Sequence, residues 1–355
     1  MNVALIEFNN YHQECIYSQV KFLKTDHSKV TLIINPKSKN LTASYSHLID
    51  ETYYYDKKAS FSFIKKLFLL FKLYRFIVQK KFDKIIFNTA SSSKTIIFIT
   101  LLLKFSDVEC IGTIHNLKKM GGSFSQKLLN IKIKKYFVLN DFLLSSHPIK
   151  NTEIRLNSYY PIFFPDYKTC QVNKPTNEIW ISIPGEVNFK RRDYSIVIES
   201  LLKTTNSSHL KFIILGKINA IPKDGEVFLE LLSKHGLKTN FITFDAFVEN
   251  DLFFSYLKAS DYILANLQLN DNSYLKYKIS GVLNLAFGLD KRLIAPSKLN
   301  IIKDLEENTL FYDSSEGLSK LLSNNLQTEK DTDFILNKMM DYKVQQKKYI
   351  DFINS

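Results

Sequence analysis

Short runs rich in Val, Ile and Phe alternate with longer stretches of helical period along almost the whole chain, and this alternation constrains the fold more than any other feature. Apolar runs of roughly four to eight residues without polar alternation suit strands covered on both faces, as in a parallel sheet whose crossovers are helices. The first half offers strands at 3–7, 29–34, 84–87, 109–113 and 136–139, with helices at 13–23, 61–79, 95–104 and 123–133. The second half offers strands at 178–183, 211–215, 240–244, 262–265, 292–295 and 310–312, with helices at 194–204, 227–235, 252–259, 280–286 and 315–323. One doubly wound pattern follows another, so the expected fold class is α/β with two Rossmann-like domains.

The length of 355 residues, 45% hydrophobic and 23% charged, suits two domains of ~150 residues and excludes disorder, collagen and coiled coil. A segment at 157–176 holds Pro161, Pro165 and Pro175 and has no helical period, so it is the expected linker. The expected domains are 1–165 and 166–328. The tail at 329–355 is polar and helical, with Tyr342, Tyr349 and Phe352 spaced to pack at the domain junction. Ligands of such sheets bind outside the carboxyl ends of the strands, here in a cleft between two facing sheets.

Net charge divides unevenly at the same linker. Residues 1–165 carry 24 Lys and Arg against 11 Asp and Glu, whereas the remainder carries 24 of each, so the whole formal charge of +13 belongs to the first half. Cys15, Cys110 and Cys170 form neither a metal pattern nor an even disulfide framework, which favours a reducing compartment. The opening residues have no basic region and turn polar after one short apolar run, which suits a first strand better than an export signal. A cytoplasmic protein without a transmembrane segment is expected.

After the strand at 178–183 come Pro184, Gly185 and Glu186, then Lys190, Arg191 and Arg192 before a helix. Glycine lets backbone N–H groups approach a ligand, and cations before a helix can neutralise a diphosphate; a solvated turn with three surface charges is the alternative. A second loop runs from Tyr274 through Lys278, Ser280 and Gly281 into an apolar helix. Ser280 can cap that helix, whose positive dipole end favours phosphate, and Lys278 adds a full charge nearby.

With these loops in place the chain resembles GT-B glycosyltransferases, and among them the bacterial family-4-like sugar transferases. Thr113-Ile114-His115-Asn116 is similar to a T-[IV]-H-[DN] segment of their first domain, and Val138-Leu139-Asn140 to the strand that follows. Gly185 with Lys190 and Arg191 resembles the G-x-x-x-x-K/R donor loop, and Leu257 to Tyr262 the L-x-x-A-D-[VY] step. Lys278 to Gly281, then Ala286-Phe287-Gly288 and Arg292-Leu293-Ile294, resemble K-[IL]-x-x followed by A-x-G-x-P-[LV]-I. The resemblance implies transfer from a nucleotide-diphosphate sugar with retention of configuration, in cell-surface polysaccharide synthesis. It places Gly185, Lys190, Arg191, Lys278, Ser280 and Gly281 on the diphosphate and Phe247, Tyr274 and Asn116 on the donor nucleoside or sugar. Two departures mark a divergent branch. No Glu occurs from Asn266 to Gly288, where many members carry Glu-x7-Glu, and Arg292 stands where proline is typical.

No metal or other cofactor is expected, since the sole Asp-x-Asp, Asp331 and Asp333, lies in the polar tail, and basic side chains can replace a cation. Transfer also needs a group to orient or deprotonate the acceptor hydroxyl, and His is the side chain best suited to that near neutrality. His115 follows the fourth strand, and by resemblance lines the sugar or acceptor pocket. His12 follows the first strand with Glu14 two residues on, a couple that could act as a base or merely sit in a capped loop. His27, His47, His147, His209 and His235 show no partner pattern.

Residues 57–82 contain Lys57, Lys58, Lys65, Lys66, Lys72, Arg75, Lys80 and Lys81 and no acid. On a helical wheel Phe63, Leu67, Leu70, Phe71 and Tyr74 form the expected packing face, while Leu69, Leu73 and Phe76 fall among the cations. Apolar residues mixed with cations suit the headgroup boundary of an anionic membrane, which would make the protein peripheral on the inner face of the cytoplasmic membrane, with a glycan or lipid-linked acceptor. Nucleic acid fits less well, because zinc spacings, helix-turn-helix signals and aromatic sheet motifs are missing. A noncatalytic GT-B scaffold is the rival from another class.

Overall fold

The computed structural model describes residues 1–9, 12, 14–56, 61–91, 93–145, 153–270, 272–326 and 338–355. It divides into two units, Met1–Pro165 with Lys276–Ile279 and Lys338–Ser355, and Asp166–Leu275 with Ser280–Asn337. The sequence expectations at Lys57, Lys58, His147, Asp331 and Asp333 lie outside the described residues.

The first unit is built on β1 (Asn2–Glu7), β2 (Lys29–Ile34), β3 (Glu51–Tyr54), β4 (Lys84–Phe87), β5 (Glu109–Ile114), β6 (Ile133–Leu139) and β7 (Arg155–Tyr159). These pair in the order β3-β2-β1-β4-β5-β6-β7, all parallel. The second unit has β8 (Ile179–Pro184), β9 (Leu210–Lys217), β10 (Phe241–Phe244), β11 (Tyr262–Leu264), β12 (Arg292–Pro296) and β13 (Thr309–Tyr312), parallel in the order β10-β9-β8-β11-β12-β13. Strand order reverses beside β1 in one sheet and beside β8 in the other. Helices leave opposite faces at such a point, so a crevice opens at the carboxyl ends of β1 and β4, and of β8 and β11.

Four features differ from the sequence expectation. The edge strands β3 and β7 are additional, and β7 (155–159) takes 157–159 out of the expected linker: its Arg-Leu-Asn-Ser-Tyr sequence lacks a core strand's apolar run, yet it pairs with β6 from Lys135↔Arg155 to Leu139↔Tyr159. The helix expected at 123–133 stops at Leu129, because β6 begins at Ile133. The terminal helix, Tyr342–Asn354, belongs to the first unit's core. Tyr349 stacks on Phe137 with ring centroids 4.3 Å apart, and Phe352 meets the same ring edge-on.

The basic helix Phe63–Lys80 is the fourth. Its core-facing residues are Leu70, Leu73 and Ile77, helped by Leu69, Tyr74 and Phe76. Leu73 and Phe76, expected among the cations, therefore pack inward. Phe63 and Phe71, expected to pack, face solvent, Phe63 at 78% exposure. The true stripe follows the 69-70-73-76-77 spacing, and the side opposite it carries the exposed Ile64, Phe68, Phe71 and Arg75, with Lys65 and Lys72 on its flank. Among the described residues no helix is long and apolar enough to cross a membrane.

Candidate functional site

At the switch point of the first sheet, Glu7 ends β1, Asn88 follows β4 and His115 follows β5. Glu7 is buried and accepts four hydrogen bonds, from Asn9 N (2.8 Å), Asn9 Nδ2 (3.1 Å), Asn88 Nδ2 (2.8 Å) and Thr89 Oγ1 (2.5 Å). Burial pushes its carboxyl above the ordinary value, against the pull of those donors. His115 Nε2 lies 2.7 Å from the Asn88 carbonyl oxygen, which can only accept, so Nε2 carries the hydrogen and Nδ1 carries the lone pair. That Nδ1 is buried and makes no hydrogen bond within the protein. Burial, with the neighbouring His12, lowers the His115 pKa from 6.5 to about 3, so the imidazole is neutral throughout the physiological range.

His12 adopts a left-handed backbone (φ 60°) and lays its ring flat on His115, with centroids 3.6 Å apart and planes within 7°. Its Nδ1 is 3.5 Å from Glu14 Oε1. Burial works to raise the Glu14 carboxyl, but the hydrogen bond and charge of His12 outweigh it and hold the group below its ordinary value. The structure thus gathers His12, Glu14 and His115, which the sequence singled out, and adds Glu7 and Asn88, which it did not. The available signal was Glu7 itself, an acid closing an otherwise apolar strand. Asn116 directs its side-chain oxygen to the amide of Lys118 (3.0 Å), capping the 3-10 turn that follows β5.

The second unit's switch point is organised by one arginine that was not among the expected site residues. Gly185 has φ 104°, and a Cβ there would stand 2.5 Å from Arg192 Nη2. The space a side chain would need is filled by the guanidinium, which donates to the Pro184 carbonyl and to Asn266 Oδ1 (3.3 Å), tying the loop after β8 to the loop after β11. Burial lowers the Arg192 pKa. Lys190 and Arg191 point outward, and Arg191 Nη2 reaches the hydroxyl of buried Tyr274 at 3.5 Å.

Beside Gly185, at the carboxyl ends of β8 to β10, lies a pocket of ≈ 290 Å³ lined by Gly216, Lys217, Phe247, Val248 and Phe253. Phe247, expected to meet the donor nucleoside, is 66% exposed on its wall. The loop at 273–281 departs from expectation in two ways. Lys278 falls in the segment grouped with the first unit, where Tyr277 O accepts from Leu117 N (2.8 Å) and Ile279 packs on that unit's core. Ser280 stands at the N-cap of Gly281–Gly288 without a side-chain cap, and its carbonyl takes the Leu283 amide (3.1 Å). A side chain at Gly281 would meet nothing within 4 Å, so the space before the helix is open. No group of three or more His, Cys, Asp or Glu among the described residues could hold a metal ion.

No protein-family model and no curated protein matches the sequence. Solved structures match over its full length. They include a glycosyltransferase from Rickettsia africae (14% identity, TM-score 0.64, 99% of this chain and 93% of that one) and HepE from Anabaena in complex with UDP and glucose (14%, 0.65, 100% of both). The UDP-GlcNAc 2-epimerase from Methanocaldococcus jannaschii is similar as well (10%, 0.61, 100% of this chain and 99% of that one). At such identities the likeness concerns the fold, and transferases and epimerases share it. Two all-parallel Rossmann-like sheets, each reversing beside its first strand, together with these neighbours identify the chain's architecture as the GT-B fold.

Proposed function

We propose that the protein is a glycosyltransferase that takes its sugar from a UDP-sugar and works without a metal ion, with retention of configuration, in polysaccharide synthesis. The observation that carries this reading is the pocket beside Gly185, which has the wall of Phe247 for a base and lies at the strand ends where this fold class binds nucleotides. HepE, similar in fold, has been seen with UDP and glucose. Gly185, Lys190, Arg191, Lys278, Ser280 and Gly281 are assigned to the diphosphate, and Phe247 and Tyr274 to the nucleoside. Neutral His115 offers its Nδ1 lone pair to a sugar hydroxyl, and the His12–Glu14 couple orients or deprotonates the acceptor.

An epimerase acts on its donor alone, and the first unit favours an acceptor instead. The helices Phe63–Lys80, Lys94–Leu102 and Phe124–Leu129 lie side by side and, with the turn Leu103–Phe105 that follows the second, expose Phe63, Ile64, Phe68, Phe105 and Phe124 among lysines. That mixture fits the headgroup layer of an anionic membrane, with ~1 kcal/mol per basic residue, so the acceptor is lipid-linked or membrane-proximal and the protein peripheral on the inner face. The test is thermal shift with UDP, GDP and CMP, followed by mass spectrometry of products formed from UDP-sugars with and without membrane extract and chelator. Stabilisation by UDP and acceptor-dependent, chelator-resistant transfer are expected. An isomerised donor without acceptor, or no response to any nucleotide, overturns the reading.

A further inference from the structure

Asn88 joins Glu7, His12, Gln19 and His115 at the first sheet's switch point. Its carbonyl oxygen takes the Nε2–H of His115 (2.7 Å), its Nδ2 donates to Glu7 Oε2 (2.8 Å) and to the His12 carbonyl (2.9 Å), and its Oδ1 accepts from Gln19 Nε2 (2.6 Å). Gln19 Oε1 in turn accepts from Tyr349 OH (3.0 Å) on the terminal helix. Asn88, Gln19 and Tyr349 are fully buried. The amide can sit only one way round, since its nitrogen faces a carboxylate and a carbonyl, neither of which donates. His12 meanwhile holds a left-handed backbone that a histidine seldom adopts without an anchor, and the Asn88 N–H is bonded to its carbonyl.

We propose that Asn88 is a positioning residue: the hydrogen bond from its Nδ2 to the His12 carbonyl holds the His12 ring on His115, keeping the His12–Glu14 couple aligned on the acceptor hydroxyl beside the His115 ring. Glu7 and Gln19 orient the amide, and through Tyr349 the terminal helix braces it. The catalytic consequence rests on the transferase reading; the geometric one does not.

A charge-swapped pair separates positioning from support of the fold. Asn88→Asp removes both N–H groups and sets a second carboxylate against Glu7, so it lowers Tm. Adding Glu7→Gln restores a donor and an acceptor between positions 7 and 88 but leaves the His12 carbonyl with the Cys15 amide (3.2 Å) as its donor and no side-chain anchor from position 88. The double variant should regain most of the wild-type Tm, keep the donor KM within about 2-fold and still turn over about 100-fold more slowly than wild type, the scale of loss for a misaligned reacting group. Cross-relaxation between the His12 and His115 ring protons, read by NMR without ligand, should be present in the wild type and lost in the double variant. Recovery of kcat together with Tm, or ring contacts that survive in the double variant, would overturn the proposal. Should the wild type transfer no sugar while the ring contacts behave as stated, the transferase reading fails and the positioning role stands.

Discussion

The two faces of the first unit's sheet carry aromatic residues on helices of comparable period and treat them in opposite ways. On one face the helix Tyr342–Asn354 buries Tyr349 and Phe352 against Phe22, Phe137 and Tyr159. On the other, the helix Phe63–Lys80 seats Leu70, Leu73 and Ile77 on the core and turns Phe63, Ile64 and Phe68 outward. Aromatic content alone therefore does not tell a core helix from a docking helix. What separates them is the company kept: the buried rings have ring partners inside the unit, and Tyr349 a hydrogen-bond partner in Gln19, whereas the exposed ones stand among cations.

The largest expected effect lies on the sealed face. Tyr349→Ala removes a fully buried ring stacked on Phe137 and leaves Gln19 Oε1 without its donor, which should cost about 3–5 kcal/mol in urea unfolding. A loss below about 1 kcal/mol would mean that the terminal helix is not part of this core. On the open face, replacing Lys65, Lys66 and Lys72 together by Gln should weaken partition onto vesicles containing phosphatidylserine by roughly 100-fold, from ~1 kcal/mol per cation, and leave Tm unchanged. Raising salt on the wild type should imitate the variant, because exposed charges are screened. Vesicle binding that ignores both lysines and salt would remove the electrostatic half of the contrast.

How much of this was legible from the chain depends on the range of the interactions concerned. All six strands of the second sheet announce themselves as local apolar runs. β3 and β7 do not, since Glu-Thr-Tyr-Tyr and Arg-Leu-Asn-Ser-Tyr become strands only by pairing with a neighbour already in place. At the site, His12 and His115 were visible as histidines at strand ends. Asn88 was not, because its role comes from partners 69 to 81 residues away in sequence, Gln19, His12 and Glu7. Among Lys190, Arg191 and Arg192, composition cannot say which turns inward; the left-handed Gly185 beside Arg192 decides it.

A smaller effect sharpens the contrast at the site itself. In the folded chain His115 is neutral down to about 3, whereas the unfolded chain takes up a proton below 6.5, so the unfolded state binds more protons between these values. The stability contributed by keeping His115 neutral is complete above 6.5 and is lost as pH falls toward 3, at up to ~1.4 kcal/mol per pH unit. His115→Gln should therefore flatten the fall in stability between pH 6.5 and 4.5 relative to wild type, in urea melts at matched ionic strength. Parallel curves for the two proteins would show that His115 already takes a proton in the folded state.

The smallest effect tests the comparison most directly. Phe68 is 67% exposed on a helix whose inward stripe is made by other residues, so Phe68→Ser removes little surface that folding had taken from water. Its effect on unfolding should stay within about 0.5 kcal/mol, as for surface positions elsewhere. The same change should still reduce vesicle binding measurably, since a phenyl ring placed in the headgroup boundary loses its apolar transfer energy when it becomes a hydroxymethyl group. A side chain that matters to binding and not to folding belongs to an interface. If Phe68→Ser instead cost several kcal/mol and left vesicle binding intact, the ring would be packed in solution, and the two faces of the sheet would be alike after all.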